Sequence, residues 1–153
     1  MRVLGVDPGM KGGIAILDTI TNQMRAVPTP LVGKELDYRR VYEAITFYDP
    51  HMVVIEKVHA MPNQGVTSMF NFGMGYGALV ALASVGQARV VLVPPQMWKK
   101  HVLAGTSKDK EAAIQFCSQT YPSVNLILPR CKKPHDGMAD SICLAHYGAH
   151  YVK

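Results

Sequence analysis

VLGVDPGMKGGIAIL, residues 3–17, is an apolar run, a tight turn and a second apolar run. Arg2 to Asp7 reads as a buried strand that ends at a carboxylate. Pro8-Gly9 and Gly12-Gly13 carry the turn chemistry, and Ile14 to Leu17 resumes as a strand, so the pair is a hairpin. Working outward, Gln23 to Val27 supplies a third strand, closed by Pro28. Met52 to Ile55 is a short β-branched run ending at Glu56, and Arg89 to Val93 is a further strand. Leu36, Val41, Ile45 and Tyr48 lie near helical spacing and predict a helix over Glu35 to Tyr48, stopped by Asp49-Pro50. A long helix is expected from about Gln64 to Val85, and a short one begins at Pro94-Pro95 around Trp98. Ser107 is placed to cap a helix running to about Gln119, and Pro134 to open a last one running to about Tyr147. This order predicts an α/β fold: a mixed sheet of five strands, an antiparallel hairpin beside parallel strands, flanked by helices.

The chain has 153 residues, room for one domain, and no repeat or linker divides it. Apolar residues make up 48%, enough for an ordinary core, which excludes wholesale disorder. Sixteen Lys and Arg against eleven Asp and Glu leave a net charge of +5, compatible with an anionic partner. MRVLGVD has no basic n-region and no apolar h-region of adequate length, so no signal peptide is expected. Cys117, Cys131 and Cys143 lack close pairing, which fits a reducing, cytoplasmic setting. Positions 58 to 88 hold no Lys, Arg, Asp or Glu, so a membrane span has to be considered. His59, Asn63, Gln64, Thr67, Ser68, Asn71 and several glycines interrupt that stretch. It reads as a buried or subunit-contacting helix, in which Gly73, Gly75 and Gly77 imply that another backbone passes close.

The acidic residues carry the chemistry. Seven of them fall in turns or on helix faces expected to be solvated. Asp7 and Glu56 differ, because each ends an apolar strand, where a carboxylate is costly to bury unless paired or metal-bound. Asp136 and Asp140 are four apart on the last helix and share a face, where like charges repel unless a cation lies between them. Taken singly, Asp7 could merely start a turn and Asp136 merely favour a helix N-terminus. As a set of four, with no histidine-rich shell, they point to a hard cation, Mg²⁺ or Mn²⁺, rather than zinc. Cys131, His135, Cys143 and His146 do not have the spacing of a zinc site. Trp98 reads as a packing residue.

Together the segments VLGVDPGMKGGIAIL (3–17), VVIEKVHA (53–60), VVLVPPQMWKKHVLAG (90–105), SKDKEAA (107–113) and HDGMADSICLAHY (135–147) resemble the RuvC-type Holliday junction resolvases of the RNase H-like nuclease superfamily. They span nearly the whole chain in the family's order, and the chain looks most like the small phage-encoded branch. The resemblance implies a single RNase H-like nuclease domain over residues 1–153, in a bacterial or phage-infected cell. It implies that Asp7, Glu56, Asp136 and Asp140 bind divalent metal and drive phosphodiester hydrolysis, for which two metal ions stabilise the attacking and leaving oxygens. Expected cofactors are Mg²⁺, with Mn²⁺ substituting, and no nucleotide.

Two departures matter. The family's last two ligand positions lie three apart, and here the residue three before Asp140 is Gly137. Asp136 keeps Asp140's face and His135 is rotated away, so Asp136 is assigned. Where the family has an aromatic wedge, three residues after the strand-end Glu, this chain has His59.

The expected substrate is a four-way or other branched DNA. Lys99 and Lys100, Lys108 and Lys110, and Lys11 are the expected phosphate contacts, with Arg130, Lys132 and Lys133 nearby. His59, Met61, Asn63 and Gln64 belong to a loop directly after Glu56 and are expected at the branch point, against bases. Two symmetric nicks need two acidic clusters, so a homodimer is expected, joined through the uncharged segment from Met69 to Val85. Alternatives are an RNase H-like nuclease acting on forks, flaps or RNA–DNA hybrids, and an inert junction-binding module. A sugar-kinase-like phosphotransferase, which the first loop also resembles, would need two such domains.

Overall fold

A computed structural model describes residues 1–59 and 65–153. Its centre is the hairpin of β1 (Arg2–Asp7) and β2 (Gly13–Asp18), paired antiparallel with Val6 opposite Ile14. β3 (Gln23–Pro28) continues the meander as an edge strand. Two elements follow that the hydropathy pattern does not announce, a miniature hairpin of β4 (Leu31–Val32) and β5 (Glu35–Leu36). Glu35 is therefore strand, and α1 (Tyr38–Tyr48) starts three residues later than expected. Asp37 caps it, accepting a hydrogen bond from the Arg40 N–H at 3.0 Å. β6 (Met52–Glu56) runs parallel to β1, and after α2 (Val66–Val85), β7 (Arg89–Val93) runs parallel to β6. The strand order is β3-β2-β1-β6-β7, the mixed five-stranded sheet expected.

α3 (Pro95–Val102), α4 (Lys110–Thr120) and α5 (Asp136–Tyr151) complete the chain. α4 is capped by Asp109 and not by Ser107: the Asp109 carboxylate accepts from the Ala112 N–H at 2.9 Å. At α5, Pro134 precedes the helix and His135 caps it, Nδ1 accepting from the Met138 N–H at 3.1 Å.

Alternation along β1 and β6 divides the core. Val3, Val54 and their neighbours face α3, α4 and α5, and Leu4, Val6, Val53 and Ile55 face α1 and α2. α5 lies directly on β1 and β2. A Cβ on Gly137 would meet the Lys11 carbonyl oxygen at 2.2 Å, and one on Gly5 would meet that of Ser141 at 2.1 Å, so glycine alone permits this approach.

α2 departs most from expectation. Among its residues only Gly75, Leu79 and Ala83 are buried, while Val66 is 87% and Phe70 70% exposed. It is long and apolar enough to cross a membrane by length and composition, with 17% of that window buried. Among the described residues no other backbone comes close to its glycines, contrary to expectation. A Cβ at Gly73 or Gly77 would meet no described residue within 4 Å, and among those residues one at Gly75 would touch only the Leu36 side chain.

Candidate active site

Register brings the first two acids together. Val6 pairs with Ile55 in parallel, so Asp7 and Glu56 end neighbouring strands at the same edge of the sheet. The close packing of α5 then delivers Asp136, on its first turn, and Asp140, one turn on. Asp7, Asp136 and Asp140 line one cleft of ≈ 390 Å³ with Lys11 and Lys110, while Glu56 lies beside it, 9% exposed.

The charges in this cleft are poorly compensated. Asp7 is pushed up to about 8, first by burial and then by Asp140, Glu56 and Asp136, with Lys110 opposing. Glu56 is raised by burial and by Asp140, and Asp140 is raised by burial against the opposing pull of Lys99. Asp136 is the exception, held low by a hydrogen bond from the Lys110 ammonium. Three clustered carboxylates that resist ionisation are a set of hard oxygen donors short of positive charge, and a divalent cation fits that chemistry. The cage is not ready-made. Among the described residues no three His, Cys, Asp or Glu side chains are grouped to hold one ion as they stand. That applies equally to the Cys/His spacing considered for zinc.

Four of the seven other acids have the partners that solvated acids usually have. Asp37 and Asp109 cap helices, Asp49 pairs with Arg2, and Glu43 pairs with Arg39.

The expected phosphate contacts separate into two groups. Lys11 lines the cleft, Lys110 reaches Asp136, and Lys99 is close enough to act on Glu56 and Asp140. Lys100 and Lys108 are exposed and do not line it. His59 lines a second, apolar groove of ≈ 820 Å³ with Leu36, Met69 and Tyr76, while Met61, Asn63 and Gln64 lie outside the described residues. Sequence reasoning missed Phe72, which lines both groove and cleft and puts an aromatic ring beside the acids. It occurs in a charge-free helix, where nothing in the residue pattern distinguishes it from core.

No family model matches the chain. A crossover junction endodeoxyribonuclease RuvC from Hydrogenovibrio crunogenus is 23% identical over 151 residues, covering 92% of this chain and 83% of the relative. The RuvC of Thermus thermophilus superposes with a TM-score of 0.66 at 21% identity, covering 99% of this chain and 95% of that one. The same organism's RuvC in complex with Holliday junction substrate gives 0.69 at 21% identity, over 99% and 94%. The yeast mitochondrial Holliday junction resolvase Ydc2 gives 0.60 at 14% identity, over 94% and 75%. Over nearly its whole length the chain has the fold of these structures, with acids of its own at the ends of the central strands β1 and β6.

Proposed function

We propose that the chain is a divalent-metal-dependent endonuclease that resolves four-way, or Holliday, junctions and related branched DNA. The observation that carries this reading is the convergence of Asp7, Asp136 and Asp140 in one cleft of a RuvC-type fold, with Glu56 at its side. Asp7, Glu56, Asp136 and Asp140 are the residues that would hold the cation. Mg²⁺, with Mn²⁺ as substitute, would supply positive charge to the attacking and leaving oxygens of the phosphodiester. The chain's own part is to orient the phosphate and keep its charge tolerable. Lys11 and Lys99 bracket the acids, and Lys110, already paired with Asp136, limits the negative field that a phosphate approaching the cleft would meet. With four acids assigned to metal, seven acids remain against sixteen basic residues, a formal +9, which suits a polyanion.

His59 and Phe72 line the groove that opens from the cleft, and we assign them to unstacked bases at the branch. Two symmetric nicks require two clefts, and the exposed apolar face of α2, with open space at Gly73 and Gly77, is suited to a second copy of the chain. The deciding experiment compares cleavage of a synthetic four-way junction, a fork, a flap, an RNA–DNA hybrid and a plain duplex, each with Mg²⁺ and with chelator. Paired nicks in the junction, dependent on Mg²⁺, are expected. Preference for fork, flap or hybrid would move the chain to another RNase H-like activity, and cleavage of none would leave a binding module.

A further inference from the structure

The start of a helix favours acids and disfavours cations, because the free N–H groups of its first turn carry partial positive charge. Lys110 breaks that rule as the first residue of α4. The fold supplies the reason. α4 and α5 lie side by side and parallel: the Tyr121 hydroxyl and His146 Nδ1 are 2.7 Å apart, and the Cys117 thiol donates to the Ala139 carbonyl at 3.5 Å. The same alignment, carried back to the helix starts, sets Lys110 beside Asp136, the first residue of α5. The Lys110 ammonium donates to Asp136 Oδ2, and Oδ1 accepts from the Gly137 N–H at 3.1 Å. Both carboxylate oxygens are therefore engaged. The Lys110 side chain is 73% exposed, so charge and not packing holds it there.

We propose that Lys110 is a built-in competitor for the divalent cation: ammonium and cation take the Asp136 carboxylate in turn, and loading the site breaks the Lys110–Asp136 pair. The two compete because each needs carboxylate oxygen and each repels the other. The competition accounts for a cage that is not ready-made among the described residues, since one of its acids is already engaged by the lysine. A long, solvated stem lets the ammonium leave while the packed helices stay where they are. The inference rests on the function proposed above only for Asp136 being a ligand. The ion pair itself stands or falls separately.

Two measurements on the full chain test this. Spectra of the lysine ammonium groups read the pair, with the Lys110 signal assigned by its loss in Lys110→Ala, and calorimetry with Ca²⁺ reads the competition. The samples are the native chain, Lys110→Ala, Asp136→Asn and the double variant. Asp136→Asn is expected to move the Lys110 signal in chelator, and Ca²⁺ to move it the same way in the native chain. Lys110→Ala is expected to bind Ca²⁺ about fivefold more tightly, the worth of a well-placed exposed ion pair. In the Asp136→Asn background the same change is expected to bring no gain. An equal gain in both backgrounds overturns the proposal, because the lysine would then only repel the cation through space. Unchanged or weaker Ca²⁺ binding by Lys110→Ala overturns it too, and a Lys110 signal unmoved by Asp136→Asn denies the pair. If Asp136→Asn binds Ca²⁺ as well as the native chain does, Asp136 is no ligand and the competition falls while a metal-dependent site stands. A native chain that binds no Ca²⁺ removes both.

Discussion

Asp7 is where the conflict between folding and function is sharpest. A carboxyl whose pKa rises on folding holds its proton more tightly in the folded chain. Stability is therefore fullest below the ordinary aspartate value of about 4 and falls as pH climbs toward Asp7's own value of about 8. In chelator, the melting temperature should drop across that window, and Asp7→Asn should flatten the drop and raise melting at pH 8 by a few degrees, read by calorimetry. The same change should abolish Mg²⁺-dependent cleavage and leave junction binding intact or tighter, because a negative charge near phosphate is gone. Retained turnover would remove Asp7 from the metal site. Asp136 and His135 make the second test. His135 is occupied as the cap of α5, so His135→Ala should cost about 1 kcal/mol of stability and little activity. Asp136→Asn should be the more damaging to cleavage. The reverse ranking would transfer the ligand role to His135.

α5 carries two of the four acids, and glycine contacts set its distance from the sheet. Gly137→Ala forces a methyl group against the Lys11 carbonyl, and the turn between β1 and β2 cannot stay in place beside α5. We expect a loss of about 3 kcal/mol in denaturant melts, with Ca²⁺ binding lost in whatever remains folded. A variant with native stability and native Ca²⁺ affinity would show that the approach of α5 is not what positions Asp136 and Asp140. For His59, just after β6, the proposed task is different. His59→Ala should lower junction cleavage and leave duplex affinity nearly unchanged, whereas Lys100→Ala should weaken junction and duplex binding alike and reduce the salt dependence. Titrations in Ca²⁺ at matched salt, followed by cleavage started with Mg²⁺, separate the two. Equal losses on both substrates for His59→Ala would leave branch selectivity to the geometry of the assembly.

The proposed dimer is joined through α2. An apolar helix with Phe70 and Val66 this exposed is an unfavourable surface for an isolated chain in water. Sedimentation should therefore find a dimer at micromolar concentration. Phe70→Asp should dissociate it, since burying an unpaired carboxylate in an apolar contact opposes association. The variant should keep Ca²⁺ binding, because Phe70 lines neither the cleft nor the groove. A native chain that is monomeric both free and on a junction would end the dimer reading.

Much of this protein was legible from residue order alone. Unbroken apolar runs in β1, β2 and β6, buried on both faces of the sheet, and turn chemistry at Pro8-Gly9 mark the hairpin and the strand ends. Strand ends in turn announce Asp7 and Glu56, because those signals are local and a carboxylate closing an apolar run is conspicuous. Helix starts were less legible. Asp37, Asp109 and His135 took the caps, where periodicity favoured Glu35 for the first helix and a capping signal favoured Ser107 and Pro134 for the others, since several residues near each start can satisfy free N–H groups. The pairing of Lys110 with Asp136 and Phe72's place between cleft and groove were not legible at all. Each depends on two elements far apart in the chain meeting at a particular angle, and a hydrophobic or charged residue looks the same in sequence whichever neighbour it finally meets. The exposure of α2 belongs with these: hydropathy records that a helix avoids water, and only packing decides whether its own chain provides the cover.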